Sequence, residues 1–232
     1  MSENKNIESD CLSLRMRAAV SLAWSLLARK IGGKIIAINK EASMQLQFSY
    51  LLQQLLPLIV FHKSESFTLE LESGVKIGKA NCEIDVLFTG TSELQTHKIA
   101  IEMKCYRTLA SSGGKRGATD IFMKDVYEDL AILERYVDVG HAHEGIALVM
   151  NDMGRMVHPV QKKAKCWAYD ISHGTTFGPI KLSTPIGGKD VNIELKNKYT
   201  LDWTRHGDFW FLEVQGQLCG NDEVNNEREA VI

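Results

Sequence analysis

The strongest constraint in this chain is a pair of alternating runs, Asn81-Cys82-Glu83-Ile84-Asp85-Val86-Leu87-Phe88 and Lys98-Ile99-Ala100-Ile101-Glu102-Met103-Lys104. Alternation with a period of two is the pattern of a β-strand, and two such runs close in sequence read as neighbours in one sheet. Asp85 and Leu87 then share a face, as do Ala100, Glu102 and Lys104. Cys82, Ile84, Val86 and Phe88, with Ile99, Ile101 and Met103, take the opposite, apolar face. The expected sheet therefore brings two carboxylates and one ammonium together on adjoining strands. Such a set suits a divalent cation with a lysine beside it, the equipment for metal-assisted cleavage of a phosphodiester. Oxygen ligands favour Mg²⁺, with Mn²⁺ expected to substitute, and Mg²⁺ tolerates a hydrated site with only one or two carboxylates. The bland alternative is a solvated strand face on which Asp85 is a lone surface acid.

A second carboxylate source lies upstream. Asn39 reads as the N-cap of a helix from about Lys40 to Leu56, and Glu41 falls on the stripe of Met44, Phe48, Leu51, Leu52 and Leu55 that packs into the core. A carboxylate facing inward needs a cationic or metallic partner. The other reading of Glu41 is a first-turn acid that complements the helix dipole in solvent. Gln45 is one turn further on.

The remaining chain alternates helical and strand patterns. Cys11 to Lys30 reads as a helix with Leu12, Met16, Ala19, Val20, Ala23, Leu26 and Leu27 as its apolar stripe. Ser66 to Glu72 alternates with Phe67, Leu69 and Leu71 inward. A helix from about Asp120 to Val137 carries Phe122, Val126, Leu130, Leu133 and Tyr136 on one side, and Ile146–Met150 is a buried strand. Pro159 is placed as the first residue of a further helix, with Val160, Ala164, Trp167 and Ala168 as its apolar side. Val191–Leu195, Tyr199–Trp203 and Phe209–Val214 read as strands. The expected organisation is a single domain over residues 10–218, its core at about 35–150, with flexible tails at 1–9 and 221–232.

Composition narrows the setting. No apolar run approaches the ~18 residues of a membrane span, and the polar start lacks the pattern of a signal peptide. The expectation is a cytoplasmic protein without a membrane partner. Five cysteines, odd in number and without a CxxC pair, suit a reducing compartment and do not favour a zinc site. A net charge of −2 argues against a protein that coats nucleic acid indiscriminately, yet local basic patches can still steer it.

An acid entering from a helix (Glu41), Asp85 on one strand, Glu102-x-Lys104 on the next and then a helix resemble the PD-(D/E)xK nuclease superfamily. The likeness covers roughly residues 35–150, and Ile84 stands where the name-giving proline would be. It implies an α/β, restriction-endonuclease-like mixed central sheet flanked by helices, here with a C-terminal β-rich extension. The implied activity is Mg²⁺-dependent endonucleolytic hydrolysis of DNA. Asp85 and Glu102 would be metal ligands, Glu41 an auxiliary acid of the metal shell, and Lys104 the catalytic lysine. Glu83 is a competing ligand. The alternative is a catalytically idle nucleic-acid-binding or assembly subunit that keeps the fold.

Partner contacts follow from charge. Lys115 and Arg116, in the Gly-rich loop after the Lys104 strand, either close over a backbone phosphate or belong to a flexible surface connection. Gly154 to Ala168 has no acid but holds Arg155, His158, Lys162, Lys163 and Lys165, either a track for nucleic-acid backbone or the wet side of a helix. His141-Ala142-His143 reads as an ordinary surface loop. Asp120, Lys124 and Asp125 read as solvent-facing charges, and Trp203, Phe209, Trp210 and Phe211 as packing for the terminal sheet. A homodimer fits double-strand cutting, but no segment announces an interface.

Overall fold

The computed structural model describes residues 7–110 and 112–218, so positions 1–6, 111 and 219–232, which include the expected tail at 221–232, lie outside the described residues. The fold is α/β: a mixed six-stranded sheet with helices on both faces. Its elements in chain order are α1 (Leu12–Gly32), α2 (Glu41–Ile59), β1 (Ser66–Ile77), β2 (Ala80–Thr91), β3 (Thr96–Tyr106), α3 (Thr119–Asp138) and β4 (Glu144–Asn151). A short α4 (Gly154–Val157) and a 3-10 turn at Lys165–Tyr169 follow. The C-terminal third adds β5 (Thr176–Phe177), β6 (Ile180–Leu182), β7 (Ile193–Leu195), β8 (Tyr199–Thr200), β9 (Thr204–His206) and β10 (Phe209–Val214).

The sheet order is β1-β2-β3-β4-β10-β9, antiparallel throughout except for the parallel pair β3–β4. That pair requires a crossover, and α3 is it. Alternation divides the sheet between two cores. Val86, Phe88, Ile99, Ile101, Met103, Ile146, Leu148 and Met150 meet α1 and α2. Leu87, Ala100, Ala147 and Val149 meet α3 and the C-terminal segment. Burying each large aliphatic or aromatic side chain contributes ~1.5–3 kcal/mol, so these two layers dominate stability.

The structure corrects the expected face assignment at one place. Cys82 and Ile84 pack on the α3 side, whereas Val86 and Phe88 pack on the α1/α2 side. The reason is local backbone. Glu72, which the register sets opposite Asp85, has a φ of 53°, and this left-handed residue interrupts the pleat in mid-hairpin. Leu71, expected inward, is 43% exposed beside it.

Other differences are smaller. The N-cap of α2 is Lys40, not Asn39, because Ser43 Oγ reaches back to accept the Lys40 N–H at 3.3 Å. Pro57 lies inside the last turn of α2, which ends at Ile59 soon after the hydrogen bond that proline removes. The helix expected from Pro159 is absent: Lys162 is drawn back to Asp170 at 2.5 Å and Ser172 at 2.9 Å, and Val160, its expected apolar residue, is fully exposed. Of the C-terminal strands, β9 and β10 extend the central sheet through β4, while β5–β8 and β6–β7 form two separate two-stranded sheets. Among the described residues no helix is long and apolar enough to cross a membrane.

The N-terminal layer hangs on Arg15, which is completely buried. Its Nε donates to the Ile59 carbonyl at 3.0 Å, its Nη1 to those of Ser9 and Asp10, and its Nη2 pairs with Glu65 at 2.5 Å. Its guanidinium also lies over the Phe61 ring. Residues before α1, expected to be unstructured, are thus tied down from Ile7 onward, where the turn begins and Ile7 packs on the core. Removing one partner of a buried ion pair leaves the other uncompensated. Arg15→Ala should therefore lose ~3–5 kcal/mol in urea unfolding. A change below ~1 kcal/mol would show that this clasp is dispensable.

Candidate active site

The β2–β3 ladder ends at Val86↔Ile101, while β3 stays paired with β4 as far as Tyr106↔Asn151. The β2-side edge of β3 is therefore open from Glu102 onward, and its buried N–H groups need other acceptors. Side chains provide them. The Met103 N–H donates to Asp85 Oδ2 at 2.7 Å, and the Cys105 N–H donates to Glu41 Oε2 at 3.4 Å. Glu41 is the first helical residue of α2, and from that first turn its carboxylate is directed to this edge rather than left in solvent.

Lys104 points from β3 into the same space. Its Nζ lies 3.6 Å from Glu41 Oε2 and 3.4 Å from Asp129 Oδ2. Asp129, on α3, was not singled out from sequence. It lies three residues after Val126 and four before Leu133, on the stripe by which α3 packs, so the argument that picked out Glu41 also reaches it. Gln45 completes the frame, its Nε2 donating to Glu72 Oε1 at 2.8 Å and to the Asp85 carbonyl at 2.5 Å.

Glu102 is only 7% exposed, and its Oε1 is buried without a hydrogen-bond partner. Burial, then the neighbouring charges of Asp85 and Asp129, push its pKa up to about 10. Burial likewise raises Asp129 to about 8 against the pull of Lys104, and it raises Asp85 and Glu41. Asp85 is also in hydrogen-bond contact with Glu102. Burial opposes the Lys104 ammonium, but Asp129, Glu41 and Asp85 outweigh it and hold its pKa above the ordinary value. Burial is the main cause for the four carboxylates, while the charge of the acids, formally −4 + 1 = −3 with the ammonium if all ionise, is what holds the Lys104 proton.

The donor set fits a hard divalent cation: carboxylate oxygens, excess negative charge and one orphaned acceptor. Among the described residues, no three His, Cys, Asp or Glu side chains are grouped as ready ligands. Asp85 and Glu102 are in contact, while Lys104 stands between Glu41 and Asp129.

The other expected residues lie elsewhere. Glu83 is exposed and offers the site only its backbone, whose carbonyl accepts the Tyr136 hydroxyl at 2.9 Å. The loop of Lys115 and Arg116 is tied back by Ala110–Gly114 and Arg116–Thr108 backbone bonds, and Arg116 also donates to the Asn39 carbonyl. Lys115 is exposed. Lys162 is occupied by Asp170 and Ser172, whereas Lys163 is exposed. Lys124 pairs with Asp125 and Glu128. His143 stacks on His97 and His141 contacts the Lys76 carbonyl, as suits a surface loop.

Comparison of the chain with family models, with curated proteins and with solved structures finds no match. The geometry alone carries the functional argument.

Because the folded-state pKa of Glu102 is raised, this group favours folding only while protonated. Its contribution is whole below its ordinary value of 4.5 and is lost as pH rises toward about 10. In EDTA the wild-type urea midpoint should fall between about pH 6 and about pH 9. Glu102→Gln, permanently neutral, should fall less; equal slopes would contradict a buried, destabilised acid.

Proposed function

We propose that this chain is a metal-dependent endonuclease of the PD-(D/E)xK type, with a restriction-endonuclease-like core, that hydrolyses DNA phosphodiesters. The observation that carries the reading is the convergence of Asp85, Glu102, Glu41 and Lys104 on the open edge of β3. The mixed sheet, with its helices and parallel β3–β4 crossover, is compatible with such a core.

Asp85 and Glu102 would hold Mg²⁺, or Mn²⁺ in its place, with Glu41 completing the shell. When bound, the ion neutralises phosphoryl oxygens and makes a water acidic enough to attack. The protein's own part is positioning. A lysine ammonium has three donors. Glu41 and Asp129 hold the ammonium between them as ion-pair partners at 3.6 and 3.4 Å, from where its N–H groups would orient the attacking water and meet the charge that develops on phosphorus-bound oxygen. Asp129 fixes the lysine rather than touching substrate. Cutting both strands of a duplex requires two such centres, which a homodimer supplies.

One observation favours a second reading, an idle nucleic-acid-binding or assembly subunit. Lys104 already sits between two carboxylates as their counter-ion, an arrangement that also serves structure alone. The two readings part on metal binding and on turnover. Lys104→Met and Asp85→Asn should keep the wild-type circular dichroism yet nick supercoiled plasmid roughly 100-fold more slowly in Mg²⁺. Undiminished nicking in both removes the nuclease reading. Calorimetric titration with Mn²⁺ should give heat in the wild type that Asp85→Asn lacks; an idle scaffold gives none in either.

A further inference from the structure

A groove of about 530 Å³ opens between the first turns of α3 and the irregular segment after α4. Its wall includes Met123, Arg155, Pro159, Lys163 and Trp167, and no carboxylate lines it. The two cations are available. Arg155 touches the Met153 sulfur, and neither it nor Lys163 has an ion-pair partner among the described residues. Lys162, between them in sequence, is by contrast committed to Asp170 and Ser172.

The chemistry is that of a two-part ligand. Arg155 and Lys163 supply positive charge, while Trp167, Met123 and Pro159 supply flat apolar surface. A nucleotide has both matching parts, a phosphate and a planar base. A base within a duplex is stacked on both faces and cannot offer one to an indole; only an unpaired base can. Position favours the same ligand. Asp129, which anchors Lys104, and Met123 lie on one helix, six residues or about 9 Å apart along its axis. Along the axis that is about three nucleotide steps of ~3.4 Å, and since six residues also turn about 240° around it, a strand joining the two places crosses the side of α3.

We propose that this groove binds an unpaired nucleotide of the substrate strand, so that the chain engages DNA with a single-stranded segment beside the cleaved bond. The proposal rests on the nuclease reading for its meaning as substrate selection, but its binding step is measured without cleavage.

The test is fluorescence anisotropy in EDTA with a short fluorescein-labelled oligonucleotide, either single-stranded or annealed into a blunt duplex. The wild type should bind the single strand about 10-fold more tightly. Trp167→Ala should erase that preference, Trp167→Phe should restore most of it, and Lys104→Met should leave it intact. The double variant Arg155→Ala/Lys163→Ala should weaken single-strand binding and flatten its log–log salt slope by about 1.4, as loss of two phosphate contacts requires. Recovery by Trp167→Phe and the salt slope separate a lost contact from a lost fold. Equal affinity for the two DNA forms, no binding of either, or a preference untouched by Trp167→Ala overturns the groove, whatever the plasmid assay shows. A Trp167-dependent preference in a protein that nicks nothing keeps the groove and removes the nuclease.

Discussion

The open edge of β3 governs the rest of this structure. Strand β2 joins the β3 ladder only from Val86 onward, and the Met103 and Cys105 N–H groups must still find acceptors. A buried N–H without one costs about as much as a lost hydrogen bond, ~1–3 kcal/mol. Asp85 and Glu41 answer that need, so backbone accounting alone draws two acids to the same edge. Across from Asp85 on β1 sits the left-handed Glu72, a conformation that costs a non-glycine residue roughly 1–2 kcal/mol. Gln45 offsets it by holding the Glu72 side chain and the Asp85 carbonyl together. One amide thus ties α2, the kink and the first acid of the site into a unit.

Electrostatics sharpens that unit. An isolated buried carboxylate protonates, and a carboxylate beside a lysine ionises. Here neither simple case applies, because one ammonium serves several acids. Burial raises Asp129, Glu102, Asp85 and Glu41 even beside the ammonium, and their charges in turn hold the Lys104 proton against its own burial. Asp129 and Glu41 restrain Lys104 from opposite elements, α3 and α2, so the amine is held from both layers that sandwich the sheet.

Much of this was legible in the sequence, and what was not has physical causes. Alternation placed Glu102 and Lys104 on one face of β3, because a residue's side in a regular strand follows from counting. Counting failed at Ile84 and Val86, since the face changes at Asp85 and no residue type announces it: a glutamate at Glu72 carries no turn signal. Asp129 was legible, since its spacing from Val126 and Leu133 puts a carboxylate on a packing stripe as Glu41's does on α2. Pro159 obeyed a sound local rule and still misled. Lys162 turns back to Asp170 and Ser172, partners brought close only by the fold.

The two ends of α2 divide the work between stability and chemistry. At its C-terminus Arg15 meets the Ile59 carbonyl and Glu65, with every charge matched and water excluded. At its N-terminus Glu41 joins a cluster where negative charge exceeds positive. Eighteen residues of helix, about 27 Å, separate them. A rigid strut anchored at the satisfied end can hold an acid in a place where that acid, left to itself, would move away or neutralise. The destabilising charge is concentrated at the open edge of one strand, and the packing that tolerates it is distributed through both cores. That separation lets a substitution among the acids change the local charge without dismantling the sheet that positions them.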